Sequence, residues 1–234
     1  MTKTKFSLTG NQLKILALIA MTVDHIGFLL LPEYVILRII GRLAMPIYAW
    51  MIAEGCEHTK NRTRYLLTVL GVGLVCQAVS WFAVKSMAQC ILITFSMSIA
   101  LIYVVDFANR KRGFLTLCLL GITVAAVCYV CVFLPQDIPS LQFSVDYSIY
   151  GVLLPVFIYL GRTKPEKLLL AAGGMIPLAI GHGYVQWFAF LSLPILALYN
   201  GKRGKAKLKY VFYLYYPLHL AAIYGIAMLL TYWK

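Results

Sequence analysis

At 234 residues, 62% hydrophobic and only 12% charged, with a mean hydropathy of +0.82, the chain is not a soluble globular protein. Such proteins are typically about 45–50% apolar and about 25% charged. The formal net charge of +13 would point to nucleic acid only if nothing else explained it, and the placement of the basic residues beside apolar runs does explain it, which excludes nucleic acid as a partner.

In chain order the apolar runs predict an all-α, polytopic transmembrane helix bundle of about nine spans, within a range of eight to ten set by length. They fall near 11 to 31, 34 to 55, 65 to 84, 89 to 107, 113 to 134, 147 to 161, 168 to 181, 184 to 200 and 208 to 231. The sixth and seventh are short and carry Pro155, Gly173, Gly174 and Pro177, so either is expected to be broken or re-entrant. The first run is too long for a signal peptide, carries Lys14, Asp24 and His25, and has no evident small-residue cleavage site, so it is expected to stay as a span. Residues 1 to 234 read as a single integral-membrane domain.

Lysine and arginine set the expected topology. Five connections hold 16 of the 21 basic residues: Lys3 and Lys5; Lys60, Arg62 and Arg64; Arg110, Lys111 and Arg112; Arg162, Lys164 and Lys167; and Lys202, Arg203, Lys205, Lys207 and Lys209. The opposite side holds Lys85 and Lys234. The positive-inside rule then places the N-terminus of this multi-pass protein in the cytoplasm and the C-terminus outside.

Ionisable residues within spans are where chemistry is sought, because each costs roughly 2.5–3.5 kcal/mol at mid-membrane on insertion scales. On the first helix Lys14 and His25 are close to three turns apart on one stripe, roughly 16 Å along the axis. Arg38 and Arg42, four residues apart, share a face of the next helix and lie about level with His25. Asp24 points about 100° from His25 and is an expected partner for either arginine. Lys14 reads equally as a snorkelling residue, Arg38 and Arg42 as counter-charges of Asp24, and Glu54 as a partner of the neighbouring basic loop. His219 lies near mid-span beside Tyr215, Tyr216 and Pro217, as a site residue or a packed one. Cys128 and Cys131 form a C-x-x-C on an apolar helix, where packing outweighs a redox or metal role. Neither a Walker-type nor a Rossmann-type glycine pattern nor a metal motif is present.

The blocks LKILALIAMTVDHIG at 13 to 27, LRIIGRLAMPIYAWMIAEGCEHTKNRTRY at 37 to 65, DYSIYGVLL at 146 to 154 and KYVFYLYYPLHL at 209 to 220 resemble, in that order, the TraX family of conjugal-transfer and related bacterial membrane proteins. The chain departs from the family pattern at Cys90, usually asparagine, and at Ser148, usually glycine. The resemblance implies N-terminal pilin acetylation for plasmid-encoded members. It also implies kinship with integral-membrane acyltransferases, whose basic residue and histidine separated by ten residues on the first helix are matched by Lys14 and His25.

The expected function is therefore that of a membrane-embedded acyltransferase. It would move an acetyl group from cytoplasmic acetyl-CoA to an amine or hydroxyl of an extracytoplasmic acceptor, such as a pilin-like protein, a peptide or a glycan. His25, Asp24, Arg42, Arg38 and His219 are the expected catalytic set, with Lys14, Glu54, Lys60 and Tyr216 toward the acyl-CoA and no metal. A small transporter or flippase, and a non-enzymatic pilus or envelope assembly factor, stand as alternatives.

Overall fold

A computed structural model describes residues 7–206 and 208–232. Lys3, Lys5, Lys207 and Lys234, which contribute to the charge asymmetry, lie outside the described residues. The chain is helical almost throughout, in the order α1 (Gly10–Leu29), α2 (Val35–Gly41), α3 (Ala44–His58), α4 (Arg62–Val84), α5 (Ile91–Lys111), α6 (Phe114–Cys128), α7 (Leu134–Asp137), α8 (Ser148–Leu160), α9 (Lys164–His182), α10 (Ser192–Ala197) and α11 (Lys209–Tyr232). The expected all-α class holds, with one addition: β1 (Ala88–Gln89) pairs in parallel with β2 (Ser144–Val145).

The helix ends follow from local chemistry. Thr9 and Gln12 form a capping box at the start of α1, the Gln12 side chain accepting from the Thr9 N–H at 2.8 Å. Asn61 caps α4 by accepting from the Arg64 N–H at 2.8 Å. Thr163 and Glu166 cap α9, and hydrogen bonding from the Arg162 and Thr163 backbone holds the Glu166 carboxyl below its usual range. Helices α4 and α5 stop at Lys85 and Arg112, which take left-handed backbone with φ 54° and 40°.

Prolines explain the interruptions. Pro46 lacks the N–H that would bond the Arg42 carbonyl, and the predicted second span breaks there into α2 and α3. Pro135 leaves the Cys131 carbonyl without its helical donor. The chain widens into a π-helical turn at Tyr129–Phe133, and the Ser148 hydroxyl donates to that carbonyl at 3.0 Å.

Among the described residues, six helical runs are long and apolar enough to cross a membrane: Gly10–Leu29, Val35–His58, Arg62–Val84, Ile91–Lys111, Phe114–Asp137 and Val211–Leu230. The other three expected spans differ in kind. The sixth is α8, only 13 residues long. The seventh, α9, runs unbroken through Pro177, so it is not broken as expected. The eighth is not one α-helix: a 3-10 segment at Tyr184–Leu191 follows Gly183 at φ 83° and hands over to α10, where Pro194 cannot bond back to Phe190.

The core lies where α3, α5, α8 and α9 meet, around the fully buried Trp50, Phe95, Ile99, Leu154 and Met175. The Ser98 hydroxyl ties α5 to α8 by donating to the Val152 carbonyl at 2.8 Å. By contrast, α6 packs on α5 and leaves Phe114 and Leu115 80% exposed. Apolar surface on that scale belongs in lipid, and the chain is a membrane protein.

The basic connections collect at one end. Arg62 and Arg110 pair with Asp106, Lys167 with Glu54 and Glu57, and Lys164 caps the carbonyls of Ala197 and Tyr199. The 202–206 stretch folds against the start of α1, with the Gly10 N–H donating to the Lys202 carbonyl at 2.8 Å.

Candidate functional site

Two cavities lie between α1, α3, α4 and α11. One, of about 620 Å³, opens at the end away from the basic loops and is lined by Asp24, His25, Arg38, Arg42, Tyr147 and Tyr216 among others. The second, of about 530 Å³, opens at the basic end beside Lys14, Glu54, His58, Lys60, Arg64 and Arg203. On α3, Tyr48 lines the first and Met51 the second. Three residues of helix rise about 4.5 Å, so roughly one turn separates the two spaces there.

At the centre of the first cavity's wall is an ion cluster. The Asp24 carboxylate accepts from Arg38 Nη1 at 2.8 Å and from Arg42 Nη2 at 2.6 and 2.8 Å. Asp24 thus takes both arginines. Arg42 also donates through Nε to the Arg38 carbonyl at 3.3 Å and through Nη1 to the Tyr147 hydroxyl and the Gln186 side-chain carbonyl, each at 3.2 Å. Every nitrogen of its guanidinium is engaged, which fits a residue that fixes the cluster. Arg38 is more open: its guanidinium lies over the Phe28 ring at 4.9 Å, and its side chain is 28% exposed.

The close approach of α1 and α2 rests on glycine. A Cβ on Gly41 would lie 2.0 Å from Asp24 Oδ1, and one on Gly27 2.7 Å from Leu37 Cβ. Only glycine leaves room there for the Asp24 carboxylate.

His25 Nδ1 lies 2.9 Å from the Met21 carbonyl. A carbonyl only accepts, so Nδ1 carries a proton, and in the neutral ring Nε2 is left with the lone pair. His182, at the end of α9, is held the same way by Leu178 at 3.0 Å and also lines this cavity, against Tyr147 at 5.4 Å between ring centroids. His219 is placed differently. It is 7% exposed, stacked on Tyr215 at 5.3 Å, edge-on to Tyr216 and His25 at 5.2 Å, and its Nε2 is buried without a partner among the described residues.

The helices α1 and α11 run side by side in the same direction. Lys14 sits over the Phe212 ring at 5.6 Å, Thr22 meets the Tyr215 hydroxyl at 2.8 Å, and His25 meets His219. That register puts Tyr216 in the His25 cavity, while Lys14 lines the other.

Lys14, Glu54 and Lys60 do share the second cavity, joined by Arg64 and Arg203, which hydropathy and charge counting treat only as loop residues. Glu54 accepts from Lys167 Nζ at 2.7 Å and from the Tyr199 hydroxyl at 3.2 Å. Glu54, Glu57 and His58 are close enough together to be considered as metal ligands. Lys167, 7% exposed, already sets its ammonium on both carboxylates.

The sequence profile of the family described as TraX protein matches residues 9–227. The chain belongs to the TraX family. The four motif blocks of this TraX chain converge on the two cavities: Asp24, His25, Arg42, Tyr147 and Tyr216 on one, Lys14 and Glu54 on the other. It is 28% identical to a probable fimbrial assembly protein FimC, serogroup H1, of Dichelobacter nodosus, over 94% of this chain and 96% of that one. It is 47% identical to an uncharacterized protein of Rickettsia prowazekii (strain Madrid E) over 57 residues, 24% of this chain and 23% of that protein. No solved structure matches.

Proposed function

We propose that this TraX protein is an acetyltransferase of the bacterial cytoplasmic membrane, with acetyl-CoA held at the basic end and an extracytoplasmic acceptor entering the opposite cavity. The observation that supports it most is the pair of back-to-back cavities: four cations around one, an imidazole with a free Nε2 facing the other, and about one helical turn between. The phosphates of CoA suit Lys14, Lys60, Arg64 and Arg203, and only the narrow pantetheine arm needs to pass the Tyr48 and Met51 turn.

In this mechanism His25 Nε2 takes the proton of the acceptor amine or hydroxyl as its N or O attacks the acetyl carbonyl carbon. The oxyanion meets the guanidinium of Arg38 or the hydroxyl of Tyr216, both of which line the same cavity. Collapse breaks the carbon–sulfur bond, and the CoA thiolate leaves with the proton His25 gained. Asp24 and Arg42 hold the walls of the site rather than touch the reacting atoms.

The name of the Dichelobacter relative, a probable fimbrial assembly protein, favours a second reading, a non-enzymatic role in assembling fimbriae. Donor binding separates the two. Purified protein is expected to bind acetyl-CoA with an affinity that falls as salt rises, and Lys14→Ala is expected to weaken it about 10- to 100-fold, the range for one charge-assisted hydrogen bond. Isothermal titration at two salt concentrations checks it, and absence of binding favours the assembly role.

Orientation is tested separately. Reporters fused after Arg112 are expected in the cytoplasm and those after Pro135 outside, because the basic connections share one end. A reporter after Arg203 found outside would overturn the nine-pass topology.

A further inference from the structure

Two of the six cysteines, Cys76 on α4 and Cys90 at the head of α5, line the same cavity as His25. Their thiols are near enough to interact with each other, and Cys90 Sγ donates to the Gly73 carbonyl at 3.5 Å. The two helices pack closely here: a Cβ on Gly73 would lie 3.0 Å from Ile93 Cδ1 and 3.2 Å from the Ile93 nitrogen, so only glycine on α4 lets the first turn of α5 come this near.

The two thiols differ in access. Cys76 is 0% exposed, whereas Cys90 is half-buried and reachable from the cavity. Cys90 is also the N-cap residue of a 21-residue helix, a position whose N–H groups favour the thiolate over the thiol. The other cysteines are set apart from this pair: Cys56 is buried in the core of α3, Cys118 is exposed on the outer helix α6, and Cys128 and Cys131 lie at the junction of α6 with the π-helical turn.

We propose that Cys76 and Cys90 form a redox couple that closes to a disulfide in the wall of the His25 cavity. The oxidant is a small or protein disulfide that reaches the cavity. The Cys90 thiolate attacks one of its sulfurs, forming a mixed disulfide and releasing one thiol. Cys76 then loses its proton and attacks the Cys90 sulfur, and the second thiol leaves with that proton. Two protein thiols are oxidised to one disulfide, and the external disulfide is reduced to two thiols. The closed form ties the middle of α4 covalently to the head of α5 beside Tyr216. The chemistry does not depend on the acetyltransferase reading, and its readout uses no acetyl-CoA.

The test treats the full-length protein in lipid nanodiscs with oxidised glutathione, blocks the remaining thiols with an alkylating reagent, and maps tryptic peptides. Cleavage after Lys85 separates the two cysteines, so a disulfide appears as a joined peptide pair. The expected result is loss of two of six alkylatable thiols, one joined pair holding Cys76 and Cys90, and recovery of both thiols with dithiothreitol. In Cys76→Ser, Cys90 is expected to stop at the mixed disulfide with glutathione. Six alkylatable thiols in the treated, folded wild type would overturn the proposal, as would a joined pair formed by any other cysteines. The wild-type map decides this even where a variant fails to fold.

Discussion

His25→Gln is expected to lower acetyl transfer by about 10²- to 10⁴-fold while leaving expression and melting unchanged, the range typical of a lost general base. Glutamine keeps a polar side chain of similar length on α1 and can still donate to the Met21 carbonyl, which His25 Nδ1 now engages at 2.9 Å. What it lacks is a nitrogen lone pair of suitable basicity at the Nε2 position. Transfer rates of purified wild type and variant, paired with thermal melting of each, separate chemistry from folding. His219→Gln is the internal comparison. That ring is buried between Tyr215 and Tyr216 and meets the cavity through His25 and Tyr216, so its loss acts by loosening those two and falls on stability as well as rate.

Gly41→Ala has the largest expected effect on stability. The added Cβ would stand 2.0 Å from Asp24 Oδ1, so either α1 and α2 separate or the carboxylate leaves both arginines. Breaking a fully buried ion pair costs about 3–5 kcal/mol, which is the upper bound for this part-buried cluster, and a marginally stable protein loses much of its folded population to such a loss. Gly121→Ala on α6 is the matched control. A Cβ there meets nothing within 4 Å, and alanine gains roughly 1 kcal/mol in helix propensity over glycine. Melting of the two variants in the same detergent is expected to diverge, Gly41→Ala falling sharply and Gly121→Ala holding or rising. Equal melting points would mean that α1 and α2 do not approach as closely as Gly41 and Asp24 indicate.

Local geometry made part of the site legible in the sequence. Asp24, Arg38 and Arg42 are joined by helix periodicity and a short hairpin, and those two constraints suffice to bring them together. Tyr147 and Gln186, which complete the partners of Arg42, come from elements more than a hundred residues away, and no local period carries that information. His182 escaped attention because it ends an apolar helix rather than interrupting one. Tyr216 stands out in the sequence beside His219, but its depth does not, because that depends on the register of α11 against α1 set by Lys14 on Phe212 and His25 on His219. The departure at Ser148 had a readable cost and a hidden use. Its φ of 49° is one that glycine takes freely, while its hydroxyl fills the hydrogen-bond gap that Pro135 leaves at Cys131. Span counting met a similar limit, since hydropathy scores a short buried helix such as α8 much as it scores a lipid-facing one such as α6.

The most direct test of the central claim is the acetyl mark itself. Envelope proteins, peptides and glycans from a deletion strain are compared by mass spectrometry with those from strains complemented with wild type or His25→Gln at matched membrane levels. The account predicts an acetyl group that disappears on deletion, returns with wild type and does not return with His25→Gln. An unchanged acetylation pattern on deletion, or full restoration by His25→Gln, would contradict it.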